Sequence, residues 1–338
     1  MKKSILLLSL TLMVLASCGS GKKIMDTYVT EERSLNVTKI TDETNNSVVY
    51  SQTYGSCSGN LVKYPDGGNK KAGFSWNTSR LLDVSPDGTE LAYLNLANKQ
   101  KNIMIRRAGA QGADTQRTFR HVRSFSWGND GRLYFSDEID DNHRSIASVD
   151  SHVGNLIRQH TSNNNDFDPV LSSDGKLLFF TRLDNSGPSI WSLNLQNGSL
   201  TLCALGYNPC VIGDNPNEFL CVRNNAAGNS EIWRVDYVLG QETVILSDKN
   251  MSFTNPNVSP DGQWIVCQAN TKSSITKKNN LDLFAVRTNG TGLVQLTYHP
   301  ADDHNPVFSK DGRRIFFISN RATKKGESNV WSINFTGL

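Results

Sequence analysis

The chain's candidate chemistry lies in two acidic, histidine-bearing stretches. One is His299-Pro300-Ala301-Asp302-Asp303-His304-Asn305, and the other runs from Asp137 to Arg144 through Asp140, Asp141 and His143. Carboxylates and imidazoles at such spacing suit a divalent cation. A structural cation is conceivable on residue types, but none is predicted, because two solvated loops carrying ordinary polar residues are the preferred account of both stretches. The six histidines, His121, His143, His152, His160, His299 and His304, are otherwise scattered. A serine hydrolase needs the strained Gly-x-Ser-x-Gly elbow that exposes its nucleophile, and the sequence has none. Arg182, Arg223 and Arg321 each end a similar apolar run. They could line a face toward an anionic partner. The preferred reading is that each fastens its own loop, a task that the guanidinium's fork of donors suits.

A repeat must position these residues. Asp-Gly followed by an apolar run recurs at Asp87, Asp130, Asp174, Asp261 and Asp311, at steps of 43, 44, 87 and 50. The third step is two periods, and a degraded copy with Asn215-Pro216 in place of Asp-Gly fills it. Six copies result. Within one copy, Asp168 to Ser173 reads as a short strand, Asp174-Gly175 as a tight turn and Lys176 to Arg182 as a buried strand. Ser189 to Leu195 and Leu200 to Ala204 supply two more. Four antiparallel strands in a period of this length make one propeller blade. Trp191, Trp233 and Trp331 recur at one position in the third strand, where large side chains fill the wedge between blades.

The expected fold is therefore all-β, a six-bladed β-propeller of four-stranded antiparallel blades over residues 79–338, with seven blades as the alternative. The last copy lacks a fourth strand, so residues 36–78 are expected to close the ring. Leu35 to Thr41 is the preferred closing strand and Asn60 to Tyr64 its rival. Lys272 to Lys278 is a basic insertion that lengthens the fifth period and reads as a solvated loop.

The phrase Ser-Pro-Asp-Gly, preceded by Asn255-Pro256, Asn305-Pro306 or Asp168-Pro169, resembles the repeat of TolB-type propellers across about residues 75–338. That resemblance implies a binding module whose channel mouth receives a peptide segment of an envelope partner. The chain lacks the family's N-terminal α/β domain. The resemblance therefore specifies fold well and partner poorly, since propellers host unrelated activities.

Residues 1–17 combine Lys2 and Lys3 with an apolar run too short to span a bilayer, the form of a secretory signal. Leu15-Ala16-Ser17-Cys18 resembles a bacterial lipobox. That resemblance implies cleavage before Cys18, a covalent lipid on Cys18 and a tether over residues 18–35. With no acidic residue just after Cys18, it further implies the outer membrane, at its periplasmic face. Cleavage would leave 321 residues and lower the formal charge from +3 to +1. Nucleic acid is not expected as a partner, because it demands a basic face.

Five cysteines would remain, and an odd number in an exported chain cannot all pair internally. Cys221 and Cys267 lie in apolar runs and read as buried thiols. Cys203 and Cys210 flank a turn and are the candidate bridge.

The expected function is a non-enzymatic, lipid-anchored module that binds an outer-membrane or periplasmic protein complex. Asp140, Asp141, Arg182, Asp302, Asp303, His304 and Arg321 are the expected contact face, with no catalytic residue, no metal and no cofactor beyond the lipid. The alternative is a carbohydrate-binding or metal-assisted carbohydrate-active propeller, with Tyr207, Phe253 and Tyr298 as candidate stacking aromatics.

Overall fold

The Ser-x-Asp-Gly phrase folds alike each time it occurs. In the computed structural model, Ser85, Ser172, Ser259 and Ser309 donate their hydroxyls to Asp87, Asp174, Asp261 and Asp311 at 2.6, 2.7, 2.5 and 2.5 Å. The same carboxylate oxygen accepts the amide two residues on, at 3.0–3.1 Å. The glycines that follow sit at φ 69° to 75°, the left-handed conformation that the turn requires. In the degraded copy Asn215 does the aspartate's work, accepting the Asn217 amide at 3.0 Å. These bonds hold the four carboxylates below their ordinary range, Asp87 down to about 2. Each aspartate thus serves its own turn.

The structure describes residues 32, 35–41, 54–57, 61–63, 69–71, 74–76, 80–97, 100–109, 114–139, 143–154, 156–162, 165–184, 186–273, 276, 278–321 and 328–337. Six four-stranded antiparallel sheets form the ring. The first blade comprises Leu82–Val84, Glu90–Ala97, Gln100–Arg107 and Thr115–Gln116. The second comprises Val122–Trp127, Arg132–Glu138, Arg144–Asp150 and Arg158–Gln159. Asp166–Leu171, Leu177–Asp184, Gly187–Asn194 and Leu200–Leu205 make the third. Tyr207–Val211, Glu218–Asn224, Ser230–Asp236 and Gln241–Leu246 make the fourth. Phe253–Val258, Trp264–Lys272, Asn279–Arg287 and Val294–Gln295 make the fifth. The sixth takes Asp303–Phe308, Arg314–Ser319 and Asn329–Asn334 from the end of the sequence and Thr38–Lys39 from its start. The Asp-Gly turns gather on one side, called here the turn face. The second-to-third-strand loops and the connections between blades gather on the other, the upper face.

Ring closure follows from chemistry on both partners. Thr38 pairs with Ser332 and Lys39 with Trp331. Thr41 then takes the Val330 amide on its hydroxyl at 2.9 Å and donates to Asn329 at 2.8 Å. Leu35 and Val37 pack on the apolar cluster that joins the fifth and sixth blades. The rival closing strand does something else: Leu61–Lys63 pairs with Asn69–Lys71, and Tyr54–Cys57 with Phe74–Trp76, both as two-stranded sheets outside the blades. Among the described residues of the 36–78 stretch, only Thr38–Lys39 pairs with a blade.

The core is a circle of wedges between neighbouring blades. Trp331 lies with Trp264, Val266 and Phe317 between the fifth and sixth, and Phe179 meets Phe219 at 5.1 Å between the third and fourth. Trp191 and Trp233 pack at the edges of the corresponding clusters. Burying each such side chain contributes on the order of 1.5–3 kcal/mol. The basic insertion lengthens the fifth blade's central hairpin, whose strands run nine residues each, and the Ser273 amide donates to the Lys278 carbonyl at 2.9 Å. Residues 274, 275 and 277 lie outside the described residues.

The innermost strands explain the Asn-Pro and Asp-Pro pairs. Asp168, Asn208, Asn255 and Asn305 all adopt φ near 50°, and strand register shifts at each of them. Asparagine and aspartate tolerate that conformation better than other side-chain-bearing residues, and proline is accepted because this strand is a sheet edge. Polar side chains then tie blade to blade around the channel. Asp83 accepts the Trp127 amide at 2.8 Å, Ser124 the Asp168 amide at 2.8 Å and Thr181 the Asn208 amide at 3.0 Å. Asn257 accepts the Phe308 amide, and Asn305 the Leu81 amide, each at 2.9 Å. Asn305 therefore joins the last blade to the first. Asn305→Ala is expected to cost roughly 1–3 kcal/mol, because it orphans a buried amide. Asn305→Gly relieves backbone strain without restoring the acceptor. Urea midpoints that place Ala and Gly level with the native protein would show that the bond contributes nothing.

Candidate functional site

The upper face holds a buried ion cluster where an exposed contact site was expected. Arg321 is 1% exposed, and Asp303 and Glu32 are equally inaccessible. Arg321 donates Nη1 to Glu32 at 3.0 Å, Nε to Asp303 at 3.3 Å and Nη2 to the other Asp303 oxygen. Glu32 also accepts the amides of Tyr298 and of His299, the latter at 2.8 Å. Burial opposes the Arg321 charge, but the carboxylates of Asp303 and Glu32 more than offset it and raise its pKa. Burial pushes Asp303 up to about 6 against the pull of Arg321, with Glu32 adding to the rise. Asp282 completes the group. Burial, assisted by the Asp303 and Glu32 carboxylates, lifts it to about 7, although Thr271 donates to it at 2.5 Å. The cluster pins the segment that leads into the closing strand.

The expected contact residues divide accordingly. Asp303, Arg321 and His304 are inside, so they brace the fold and do not present themselves to a partner. Burial lowers the His304 pKa to about 3. Asp302 is half-buried and caps the Leu281 amide at 2.8 Å. Arg182 grips buried Asp166 with two bonds, at 2.7 and 3.0 Å. Asp140 and Asp141 lie outside the described residues. This face also exposes apolar Leu96, Phe119 and Ile139, at 44, 72 and 57%, among its polar loop residues. Among the described residues no group of three or more His, Cys, Asp or Glu is placed to hold a metal ion.

Arginine and tryptophan positions that looked separate in the sequence belong together. Arg182 lies over Trp191, Arg223 over Trp233 and Arg321 over Trp331, with guanidinium carbons 5.1, 4.7 and 5.8 Å from the ring centres. Each arginine also grips a carboxylate, Arg223 taking Glu242 at 2.7 and 2.8 Å. The planar cation suits both contacts at once. These residues fasten blades, as the local-fastener reading expects. Of the three candidate stacking aromatics, Tyr207 and Phe253 are buried, whereas Tyr298 is half-buried and donates its hydroxyl to the Gln295 carbonyl at 3.2 Å.

The channel narrows to a polar waist. Arg80, Asn208, Asn255 and Asn305 line a void of about 10 Å³, room for roughly one water. Burial works against the Arg80 charge, while Cys210, Asp83 and Asp168 sustain it. Cys210 is a free thiol, as are Cys203, Cys221 and Cys267. The candidate Cys203–Cys210 bridge is absent. Cys203 belongs to the outermost strand of the third blade and Cys210 to the innermost strand of the fourth, so the residues between them cross from rim to channel. The Cys57 side chain is outside the described residues.

A large cavity is on the turn face, which few features of the sequence favour. It measures about 880 Å³ and lies between the turns of the fifth and sixth blades, over Trp264 and Phe335. Lys310, Arg313 and Arg314 border it, with Asp261 and Asp311 opposite. The one signal in the sequence was the sixth copy of the repeat, Ser309-Lys310-Asp311-Gly312-Arg313-Arg314, which alone places three cations at its turn.

Comparison with solved structures finds the same ring elsewhere. A TolB candidate from Agrobacterium tumefaciens matches with a TM-score of 0.56 at 17% identity, over 78% of this chain and 93% of that one. TolB from Acinetobacter baumannii matches at 0.57 and 17% identity, over 71% of this chain; the match spans 61% of that longer protein. An oligogalacturonate lyase from Vibrio parahaemolyticus matches at 0.52 and 11% identity, over 89% and 97%. No protein-family model matches, and no curated protein does. At such identities these likenesses show a shared fold, the six-bladed propeller of TolB type.

Proposed function

We propose that this TolB-type propeller is a non-enzymatic, lipid-anchored module that holds a protein partner at the periplasmic face of the outer membrane. It serves there as a scaffold or accessory subunit of an assembly, secretion or envelope-maintenance complex. The observation that carries this reading is how the polar side chains are used. Around the channel and on the upper face, the residues best suited to chemistry are tied into bonds within and between blades. The ring therefore offers a rigid frame with a large surface groove, a geometry suited to binding. Likeness to the TolB structures supports the same direction.

The covalent lipid on Cys18 supplies the membrane attachment in this reading. Cys18→Ser is expected to abolish palmitate incorporation and to move the protein from the outer-membrane fraction to the soluble periplasm. Retention in the membrane would contradict the anchor. For the partner, tagged protein purified in detergent from its own outer membranes is expected to bring one companion at near-equal stoichiometry. Recovery of the protein alone would contradict the scaffold role. The carbohydrate-active alternative draws on the fold shared with the oligogalacturonate lyase. It predicts shortening of an acidic polysaccharide by the purified protein.

A further inference from the structure

The turn-face groove continues beyond its main cavity. A second hollow of about 380 Å³, lined by Asn36, Lys39 and Gly109, shares Arg314 and Asn334 with the first. Together they cross the end of the sixth blade from Pro260 to Gly109. Lys310 and Arg313 are exposed and Arg314 half-buried, and none of the three forms an ion pair among the described residues. Lys39, at the second hollow, brings the bordering cations to four, and Arg287 lies over Trp264 at 4.0 Å. The two opposing carboxylates, Asp261 and Asp311, each direct an oxygen into their own turns. The groove thus carries excess positive charge.

The floor narrows the class of ligand. Trp264 and Phe335 meet edge to face at 5.6 Å and are only 6 and 7% exposed. A sugar ring finds no aromatic face there, and a flat bilayer cannot enter a concave cleft. Apolar edges below and cations above suit a polypeptide with carboxylate side chains, and charge complementarity of this kind steers encounter and fixes register.

We infer that this groove receives an acidic, extended segment of the protein partner; the inference rests on the protein-binding function proposed above. The groove lies on the side of the ring opposite Glu32.

The test places a photo-crosslinking amino acid at Thr336, in the groove, and separately at Phe119, on the upper face. The full-length lipidated protein is used in its own cells, and the crosslinked peptides are sequenced by mass spectrometry. The expected result is an adduct at Thr336 to a segment with net negative charge over about ten residues. Arg313→Glu with Arg314→Glu should reduce that adduct at least tenfold, with anchoring and the circular dichroism spectrum unchanged. An adduct to a neutral or basic segment, or one indifferent to the charge reversal, overturns the inference. Crosslinking at Phe119 alone also overturns it and leaves partner binding standing. Absence of adducts at both positions counts against the groove and the proposed function together.

Discussion

Arg321→Ala is expected to destabilise the propeller by roughly 3–5 kcal/mol, the cost of leaving buried charges uncompensated. Without the guanidinium, Glu32 and Asp303 lose the cation that both touch, and Asp282 remains beside them. A domain's whole stability is about 5–15 kcal/mol, so this one change removes a large share. The damage is also directional. Glu32 fixes the approach to the closing strand, so the N-terminal segment should loosen before the blades do, which limited proteolysis can detect as early cleavage near residue 32. Arg321→Lys keeps the charge but not the two-pronged grip, and should recover only part of the loss. A urea midpoint for Arg321→Ala within about 1 kcal/mol of the native protein would show that the cluster does not hold the ring.

Asp282→Asn should change how stability depends on pH. Burial, with the Asp303 and Glu32 carboxylates, lifts the folded pKa of Asp282 to about 7, whereas an unfolded aspartate titrates near roughly 3.9. Between these values the folded chain keeps a proton that the unfolded chain releases. The stability linked to this group is therefore full below the unfolded value and is lost as pH climbs toward about 7. Three units at about 1.4 kcal/mol each set an upper bound of about 4 kcal/mol. Asp303, pushed up to about 6, acts in the same direction. The buried imidazoles oppose it. Burial lowers His304 to about 3 and His160 to about 4, so their stability is present above the unfolded histidine value and is lost as pH falls. These opposing slopes overlap between about pH 4 and 6.5 and largely cancel there. Asp282→Asn removes one falling contribution, so its stability curve should run with a more positive slope than the native curve between about pH 4 and 7. Any change in hydrogen bonding to Thr271, Gln295 and Asn280 shifts the whole curve, so the slope is the quantity to read. Parallel curves for the two proteins would contradict the assignment.

The fold was legible because the repeat writes the same local physics six times. Ser-x-Asp-Gly and Asn-Pro each dictate a backbone conformation on their own, and even the degraded copy kept Asn215 as its turn acceptor. The closing strand was legible for a related reason: an incomplete last blade requires a partner, and Leu35 to Thr41 matched the fourth-strand pattern. The burial of Asp303, His304 and Arg321 was not legible. Exposure of Asp303 and His304 depends on which way the start of an innermost strand turns, and a run of polar residues says nothing about that. Arg321 meets Glu32 across 289 residues, a separation that no local pattern encodes. The groove is hidden for the same reason, since turns from two blades and residues 334–337 build it together.

Native mass spectrometry of the lipidated protein, extracted gently from its own outer membranes, tests the central claim most directly. The account predicts a complex heavier than the lipidated chain by the mass of one distinct protein, falling apart when ionic strength is raised. A spectrum showing only the lipidated chain, at low salt and native abundance, would contradict it.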